Sequence, residues 1–182
     1  MDRLKILYDE IESRCAATLE TRPDWPCGKG CSACCRALAS PLRLVWAEWQ
    51  RLFEALDDLP QALRESTERR LDALAEQDIR PYTCAFLDLD SGACRVYGAR
   101  PAACRAYGFY VDRTGGRYCG QIESLLEQDG DEGVIWGNHE RLDSRLRSGW
   151  GEPLGLQEAL ARRRGDADRS QEDAAGSSSP DI

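Results

Sequence analysis

The sequence predicts an α+β fold, mostly α, in one small domain. Apolar residues recur at helical spacing in several segments, and between them residues 81–119 alternate short extended runs with glycine-containing turns. A chain of 182 residues is long enough for one domain with a hydrophobic core. Its 42% hydrophobic and 31% charged residues are typical of a globular protein. We therefore expect helices to form the scaffold and short β-hairpins to lie among them.

The first predicted helix spans residues 3–20. Its apolar positions follow one helical face and are Leu4, Leu7, Tyr8, Ile11, Cys15 and Leu19. Because Cys15 lies on this face, we expect it to be a small core residue rather than a ligand.

The next segment is a loop dense in cysteine, which begins after Pro23 and Pro26. Its cysteines are Cys27, Cys31, Cys34 and Cys35, spaced C-x3-C-x2-C-C. Gly28 and Gly30 allow the backbone to fold tightly between them. A helical turn over residues 32–36 would bring Cys31 to the same side as Cys34 or Cys35, and the pattern leaves open which of the two it joins.

Two packing helices are predicted next, over residues 44–58 and 61–77, and we assign no chemistry to them. From residue 81 the pattern changes. Residues 84–97 predict a hairpin whose turn is Asp90-Ser91-Gly92. Pro101 then begins a short helix that carries Cys104, since proline is favoured in the first turn of a helix.

A second hairpin is predicted from Ala106–Val111 and residues 117–119, around the glycines at 115 and 116. Helices follow over 120–128, 138–148 and 153–163, the second with Asn138 as its N-cap. From residue 164 the chain has almost no apolar residues to bury. We therefore predict one domain over 1–163 and a disordered tail over 164–182.

A second group of cysteines completes the pattern, namely Cys84, Cys94, Cys104 and Cys119. Thiolates at this density usually hold a metal. Together with the first group they suffice for two four-cysteine zinc sites, or for one [4Fe–4S] cluster with further thiols to spare. We therefore expect the fold to be organised around a cysteine-rich metal centre whose cofactor is an iron–sulfur cluster or zinc.

Charge and targeting signals narrow the function further. The net charge of −8 disfavours binding to nucleic acid, which attracts clustered lysine and arginine. No apolar run reaches the length of a membrane span, and the N-terminus has no apolar core of a signal peptide. We therefore expect a cytoplasmic protein with no membrane partner. A reducing compartment also disfavours disulfides as the explanation of the cysteines.

The ordered motifs resemble those of a known family. The pattern Cys27-x3-Cys31-x2-Cys34-Cys35 is followed by Cys84-Ala-Phe-Leu and then by Cys94-Arg-Val-Tyr-x2-Arg-Pro-x2-Cys104-Arg-x-Tyr. Over residues 25–120 this resembles the YkgJ-like cysteine-cluster family, whose members are described as zinc- or iron-chelating proteins. Ala85 departs from the proline common at its position. Flagellin lysine N-methylases resemble distant members that combine such a cluster with S-adenosylmethionine chemistry.

The resemblance implies a metal centre but no settled reaction. Arg100 and Arg105, which match the family pattern, are expected to bind the cofactor by donating hydrogen bonds to its sulfur or by neutralising its charge. An alternative is that they bind an anionic substrate, and another is that Arg100 only fixes the turn at Pro101. We expect His139, the only histidine, to have a surface or capping role.

Three functions remain open. The first is a metal-binding protein that holds an iron–sulfur cluster or zinc through Cys27, Cys31, Cys34, Cys35, Cys84, Cys94, Cys104 and Cys119. The second is a metal-cluster-dependent enzyme that modifies a protein or peptide, and the third is a thiol redox or metal-storage protein. An open coordination position would favour the enzyme.

Overall fold

The computed structural model describes residues 2–116 and 119–176, and within them the fold is mostly helical. The α-helices are Arg3–Thr21 (α1), Ala33–Arg36 (α2), Trp46–Asp57 (α3), Gln61–Glu76 (α4), Ala102–Ala106 (α5), Gly120–Asp129 (α6), His139–Trp150 (α7) and Leu156–Gly176 (α8). The strands are Tyr110–Asp112 (β1), Gly115–Gly116 (β2) and Gly137–Asn138 (β3), and a 3-10 turn covers Tyr97–Ala99. The predicted α+β class with helices predominating is confirmed.

Helix α1 begins at a strong N-cap and packs against α5. The Asp2 carboxylate accepts hydrogen bonds from the amides of Leu4 and Lys5, which satisfies two donors of the first turn. Most of the apolar face predicted from the spacing is buried, and it contributes Leu7 and Ile11 to the first core cluster, whereas Leu19 near the end of the helix is 38% exposed. Cys15 is partly buried beside this cluster, as expected of a packing residue.

Helices α3 and α4 form a second core cluster together with α8. Trp49, Leu52 and Leu56 are almost completely buried, and they share this cluster with Leu71 of α4 and Leu160 of α8. The cysteines lie along both clusters, since Cys27 packs against the first whereas Cys84 and Cys94 pack against the second. The cysteine-bearing segments therefore lie where the two halves of the core meet.

The first predicted hairpin is shorter than expected. Within residues 84–97 a single antiparallel bridge joins Leu87 to Cys94. The Asp88 carboxylate accepts hydrogen bonds from the amide and hydroxyl of Ser91, and Gly92 has a φ of +71°. These local contacts close a compact turn, which leaves few residues for strand pairing.

The second predicted hairpin is present, and a third strand that was not predicted pairs with it. Strand β1 pairs antiparallel with β2, and Val111 lies opposite Gly116. The parallel pairing of β1 with β3 was not predicted, because two residues of strand carry no periodic signal. The predicted strand residues 117 and 118 lie outside the described residues, whereas Cys119 caps α6 and Ala106 ends α5.

The last helix is longer than the predicted 153–163, because α8 continues to Gly176. At the predicted end of this helix, Arg163 pairs with Asp57 of α3 and Arg164 pairs with Asp72 of α4. The boundary at residue 163 and the disordered tail stay predictions, and residues 177–182 lie outside the described part of the chain. No helix in that part is both long and apolar enough to cross a membrane.

Candidate metal centre

One cavity brings together most of the cysteines singled out in the sequence. It has a volume of about 240 Å³ and is partly lined by apolar side chains such as Leu52 and Phe86. The cysteines that line it are Cys27, Cys31, Cys34, Cys35, Cys84, Cys94 and Cys104. Seven thiols from three separate segments of the chain therefore share one enclosed space, which we call the cysteine cavity.

The first cysteine loop is shaped by the short helix α2. The amide of Cys31 donates to the carbonyl of Gly28, which closes the loop before α2 begins. Helix α2 then places the sulfur atoms of Cys34 and Cys35 4.0 Å apart. Arg36 at its end donates to the hydroxyl of Ser32 and to the carbonyl of Leu89, and so ties α2 to the turn of the next segment.

Backbone contacts join this loop to the segment that carries Cys84. The amide of Cys84 donates to the carbonyl of Cys35 over 2.8 Å, and Leu38 and Tyr82 form an antiparallel bridge beside it. Arg70 of α4 donates to the Cys84 carbonyl over 2.8 Å. Cys35 and Cys84, 49 positions apart in sequence, are therefore held at one place by main-chain hydrogen bonds.

Helix α5, which carries Cys104, is positioned by a buried carboxylate. Glu48 of α3 is 2% exposed and accepts hydrogen bonds from the amide of Ala102 over 2.8 Å and from the hydroxyl of Tyr8 over 3.1 Å. Burial raises the pKa of this carboxyl group above its usual value. Glu48 thus links α1, α3 and the start of α5, the helix that carries Cys104.

Cys27 reaches the cavity because a glycine faces it. Its thiol donates to the carbonyl of Tyr107 over 3.3 Å. Gly108 has a φ of +83°, and a Cβ atom there would lie 3.1 Å from the Cys27 sulfur and 2.8 Å from a methyl group of Ile122. Glycine is needed at this position both for its backbone conformation and for the close approach of Cys27.

Burial favours the protonated form of three cavity thiols, those of Cys27, Cys94 and Cys104, when no metal is bound. It raises the pKa of Cys27 to about 12, with a smaller contribution from the neighbouring thiols of Cys34 and Cys31. Burial also raises the pKa of Cys94 and of Cys104. Since a metal ligand must be a thiolate, loading this cavity with a metal would release protons.

The charged side chains of the cavity are both cationic. Among the described residues that line it there is no carboxylate, and Lys29 and Arg100 carry its charge. The guanidinium of Arg100 lies 3.7 Å from the centre of the Tyr97 ring, and the ammonium of Lys29 lies 5.7 Å from the same ring. The Nε atom of Arg100 is buried without an acceptor among the described residues.

Two predicted site residues lie outside the cavity. Arg105 does not line it, because its guanidinium donates to the carbonyls of Arg100 and Gly98 over 2.6 Å each and pairs with Glu12. It therefore supports the segment that carries Arg100. Cys119 is the N-cap residue of α6 and packs against the first core cluster. The electrostatic influence of the Cys119 thiol still reaches Cys27.

Sequence reasoning missed several residues that shape the site. Lys29 was not singled out as a site residue. Nothing near Glu48 in sequence indicates that its carboxylate accepts a hydrogen bond from the amide of Ala102, 54 positions away. His139, for which a surface or capping role was expected, is not at the surface: it is 5% exposed, begins α7 after the N-cap Asn138, and packs edge-on against Tyr110, outside the cysteine cavity. No three histidine, cysteine, aspartate or glutamate side chains in the described part of the chain form a ready-made site for one ion.

A comparison with protein families identifies the chain. The family model described as "CxxCxxCC: Putative zinc- or iron-chelating domain" matches residues 26–125, which is more than half of the sequence. The chain belongs to this family. No curated protein and no solved structure matches it.

Membership of the CxxCxxCC family supports metal chelation and names the metal as zinc or iron. The matched segment contains every cysteine predicted as a ligand and leaves out only Cys15. In this chain three residues separate Cys27 from Cys31, one more than the family name indicates. The cofactor predicted from the sequence, an iron–sulfur cluster or zinc, agrees with the family.

Proposed function

We propose that this protein holds an iron–sulfur cluster or zinc in the cysteine cavity, bound by thiolates drawn from its seven cysteines. The observation that carries the proposal is that seven thiols line one cavity whose charged side chains are Lys29 and Arg100. Thiolate is the preferred ligand of zinc and of iron–sulfur clusters, so the donor set fits the metals of the family.

The size of the cavity fits a metal centre of more than one atom. A volume of about 240 Å³ equals roughly eight waters at about 30 Å³ each, which exceeds the space of a single ion. Two separate four-cysteine zinc sites need eight thiolates, and the cavity is lined by seven. One cluster with four cysteine ligands leaves three cavity thiols that pack or exchange with the ligands. This arrangement fits the number of thiols and the volume of the cavity better than two zinc sites do.

Lys29 and Arg100 can offset the negative charge of such a centre. A metal bound by four thiolates carries a net negative charge, and burying that charge without a counter-ion is costly. Among the described residues the buried Nε–H group of Arg100 has no acceptor, and a metal-bound sulfur in the cavity would provide one. Lys29 and Arg100 thus fit an anionic centre better than an empty cavity.

Metal analysis of anaerobically purified protein tests this proposal. We expect stoichiometric iron with acid-labile sulfide and visible absorption, or stoichiometric zinc without colour. Cys94→Ser should lose metal and stability together, since Cys94 bridges the turn and lines the cavity. The matched control is Cys15→Ala, which removes a packing thiol outside the cavity and should keep the metal. Full metal content in Cys94→Ser would remove this residue from the ligand set, and a metal-free wild type would refute the proposal.

A metal-dependent enzyme is the second candidate, and one observation favours it. Cys31 is exposed, whereas the other six thiols of the cavity are partly buried. A centre that is accessible at Cys31 would allow a substrate or S-adenosylmethionine to reach the metal. We propose a protein or peptide as the substrate class for this activity, and turnover would require a coordination position that the protein leaves open.

A thiol redox role fits the cavity less well. Reactive cysteines have a lowered pKa, whereas burial raises the pKa of Cys27 to about 12. We further propose a cytoplasmic location, because reduced thiols bind metals there. The net charge of −8 supports the absence of a nucleic-acid partner.

A further inference from the structure

A second cavity, lined by arginines, lies between α1 and α7. It has a volume of about 370 Å³, and Tyr110 of β1 lines it together with Trp136. Its charged residues are Glu10, Arg14, Arg141 and Arg145. None of these residues lines the cysteine cavity. We call this space the arginine cavity.

The arginine cavity has an excess of positive charge in a chain whose net charge is −8. It contains three guanidinium groups and one carboxylate, and that carboxylate, of Glu10, lies 2.5 Å from Arg145. Arg141 and Arg145 are also four positions apart on α7, a spacing at which like charges repel and destabilise a helix. The excess charge therefore costs stability in the free protein, and a bound anion would offset it.

Two of the arginines are held in place by other groups. The guanidinium of Arg14 donates to the carbonyl of Trp136 over 3.5 Å, and Arg14 and Tyr110 line the cavity together. Tyr110 is 7% exposed, and Gly137 makes room for its ring, because a Cβ atom at 137 would lie 2.5 Å from the ring carbons. Arg145 is held by Glu10.

Arg141 differs from its neighbours. Within the described part of the chain its guanidinium has no hydrogen bond and no ion pair, although it lowers the pKa of Glu10 from a distance. Its backbone amide is satisfied separately by the side chain of Asn138, the N-cap of α7. The donors of Arg141 are therefore available to a ligand.

We propose that the arginine cavity binds a small molecule through an oxyanion group, either a phosphate or a carboxylate. Guanidinium groups form paired, charge-assisted hydrogen bonds with both kinds of group. The positive end of α7, which begins at this cavity, adds to the attraction. The volume of about 370 Å³ accommodates a small organic anion rather than a single atom.

Titration calorimetry with pyrophosphate and with citrate tests this proposal on the purified, metal-containing protein. We expect at least one of the two anions to bind at millimolar or lower concentration at low ionic strength, and to bind more weakly as salt is added. Arg141→Gln should weaken this binding about tenfold, the loss expected for one charge-assisted hydrogen-bonding group. The anion that binds more tightly shows whether the oxyanion group of the ligand is a phosphate or a carboxylate.

Two further variants separate recognition from general charge effects. Glu10→Gln should strengthen binding, because it removes the carboxylate that competes for Arg145. Arg69→Gln removes an exposed arginine of α4 outside the cavity and should leave binding unchanged. Thermal unfolding without anion checks folding, and Arg141→Gln should melt no lower than wild type. Absence of binding by both anions, or equal affinity in Arg141→Gln and in wild type, would overturn the proposal.

Discussion

Arg100 is the residue, beside the cysteines, on which the chemistry of the cysteine cavity most depends. Its guanidinium lies over the Tyr97 ring, and its buried Nε–H group has no acceptor within the part of the chain that the structure describes. Arg105 donates a hydrogen bond to the carbonyl of Arg100, so the two arginines of the family pattern have different roles. The sequence singled out both residues, but it could not separate them, because their spacing alone does not show which one faces the thiols.

Replacement of Arg100 by glutamine should weaken metal retention about tenfold, the lower end of the effect of losing a group that supports metal ligands. The reason is that the variant loses the buried positive charge beside the thiolates. Competition with a chelator on the metal-loaded protein measures the effect. Arg69→Gln is the control and should retain the metal as wild type does; equal retention in Arg100→Gln would show that Arg100 only stabilises the turn.

The thiols also predict a pH dependence for the metal-free protein. In the unfolded chain cysteine has a pKa of about 8.5, whereas burial raises the pKa of Cys27 to about 12 in the folded state. Because the folded pKa is the higher one, the stabilising contribution is complete below about pH 8.5 and is lost as the pH rises toward 12. Each such thiol lowers the free energy of unfolding by at most about 1.4 kcal/mol per pH unit in this window.

Urea unfolding between pH 7 and pH 10 measures this loss. The metal-loaded protein serves as the comparison, since its ligand thiols are already deprotonated in the folded state. Its unfolding with loss of the metal takes up protons below about pH 8.5, so its stability should rise with pH up to that value and then level off. If the metal-free and metal-loaded proteins lose stability in parallel, then ionisation of the cavity thiols is not the cause.

At the scale of elements, the helices could be predicted and the short strands could not. The apolar spacing in α1, α3 and α4 is sustained over three or more turns, so the period is unambiguous. Strand β3 has two residues, and the predicted hairpin at 84–97 reduces to one bridge because side chains close its turn. Helix α8 extends past its predicted end at residue 163 into a charged segment, where Arg164 pairs with Asp72 of α4, a contact that composition does not reveal.

The placement of α5 by Glu48 gives a prediction at this scale. Glu48→Ala should lower the free energy of unfolding by about 2–4 kcal/mol, since it leaves the amide of Ala102 and the hydroxyl of Tyr8 buried without an acceptor. Urea unfolding of the metal-free protein measures the loss. Glu48→Gln keeps one acceptor and should cost less than Glu48→Ala. Equal stability of Glu48→Ala and wild type would show that Glu48 does not position the helix that carries Cys104.

At the scale of the whole molecule, the cysteine cavity joins two core clusters. Cys27 packs against the cluster built on α1, whereas Cys84 and Cys94 pack against the cluster built on α3 and α4. A metal bound to thiolates from both sides would therefore link the two halves of the core. The density of cysteines predicted such a centre from sequence alone, but the convergence of segments as distant as Cys35 and Cys84, 49 positions apart, depends on tertiary contacts that no local pattern encodes.

X-ray absorption spectroscopy at the metal edge of the anaerobically purified protein tests the central claim most directly. The account predicts a first coordination shell made of sulfur at about 2.3 Å if the metal is zinc, and likewise a sulfur-dominated shell if it is iron. A first shell dominated by nitrogen or oxygen would contradict the account, because the thiols of the cysteine cavity would then not be the ligands.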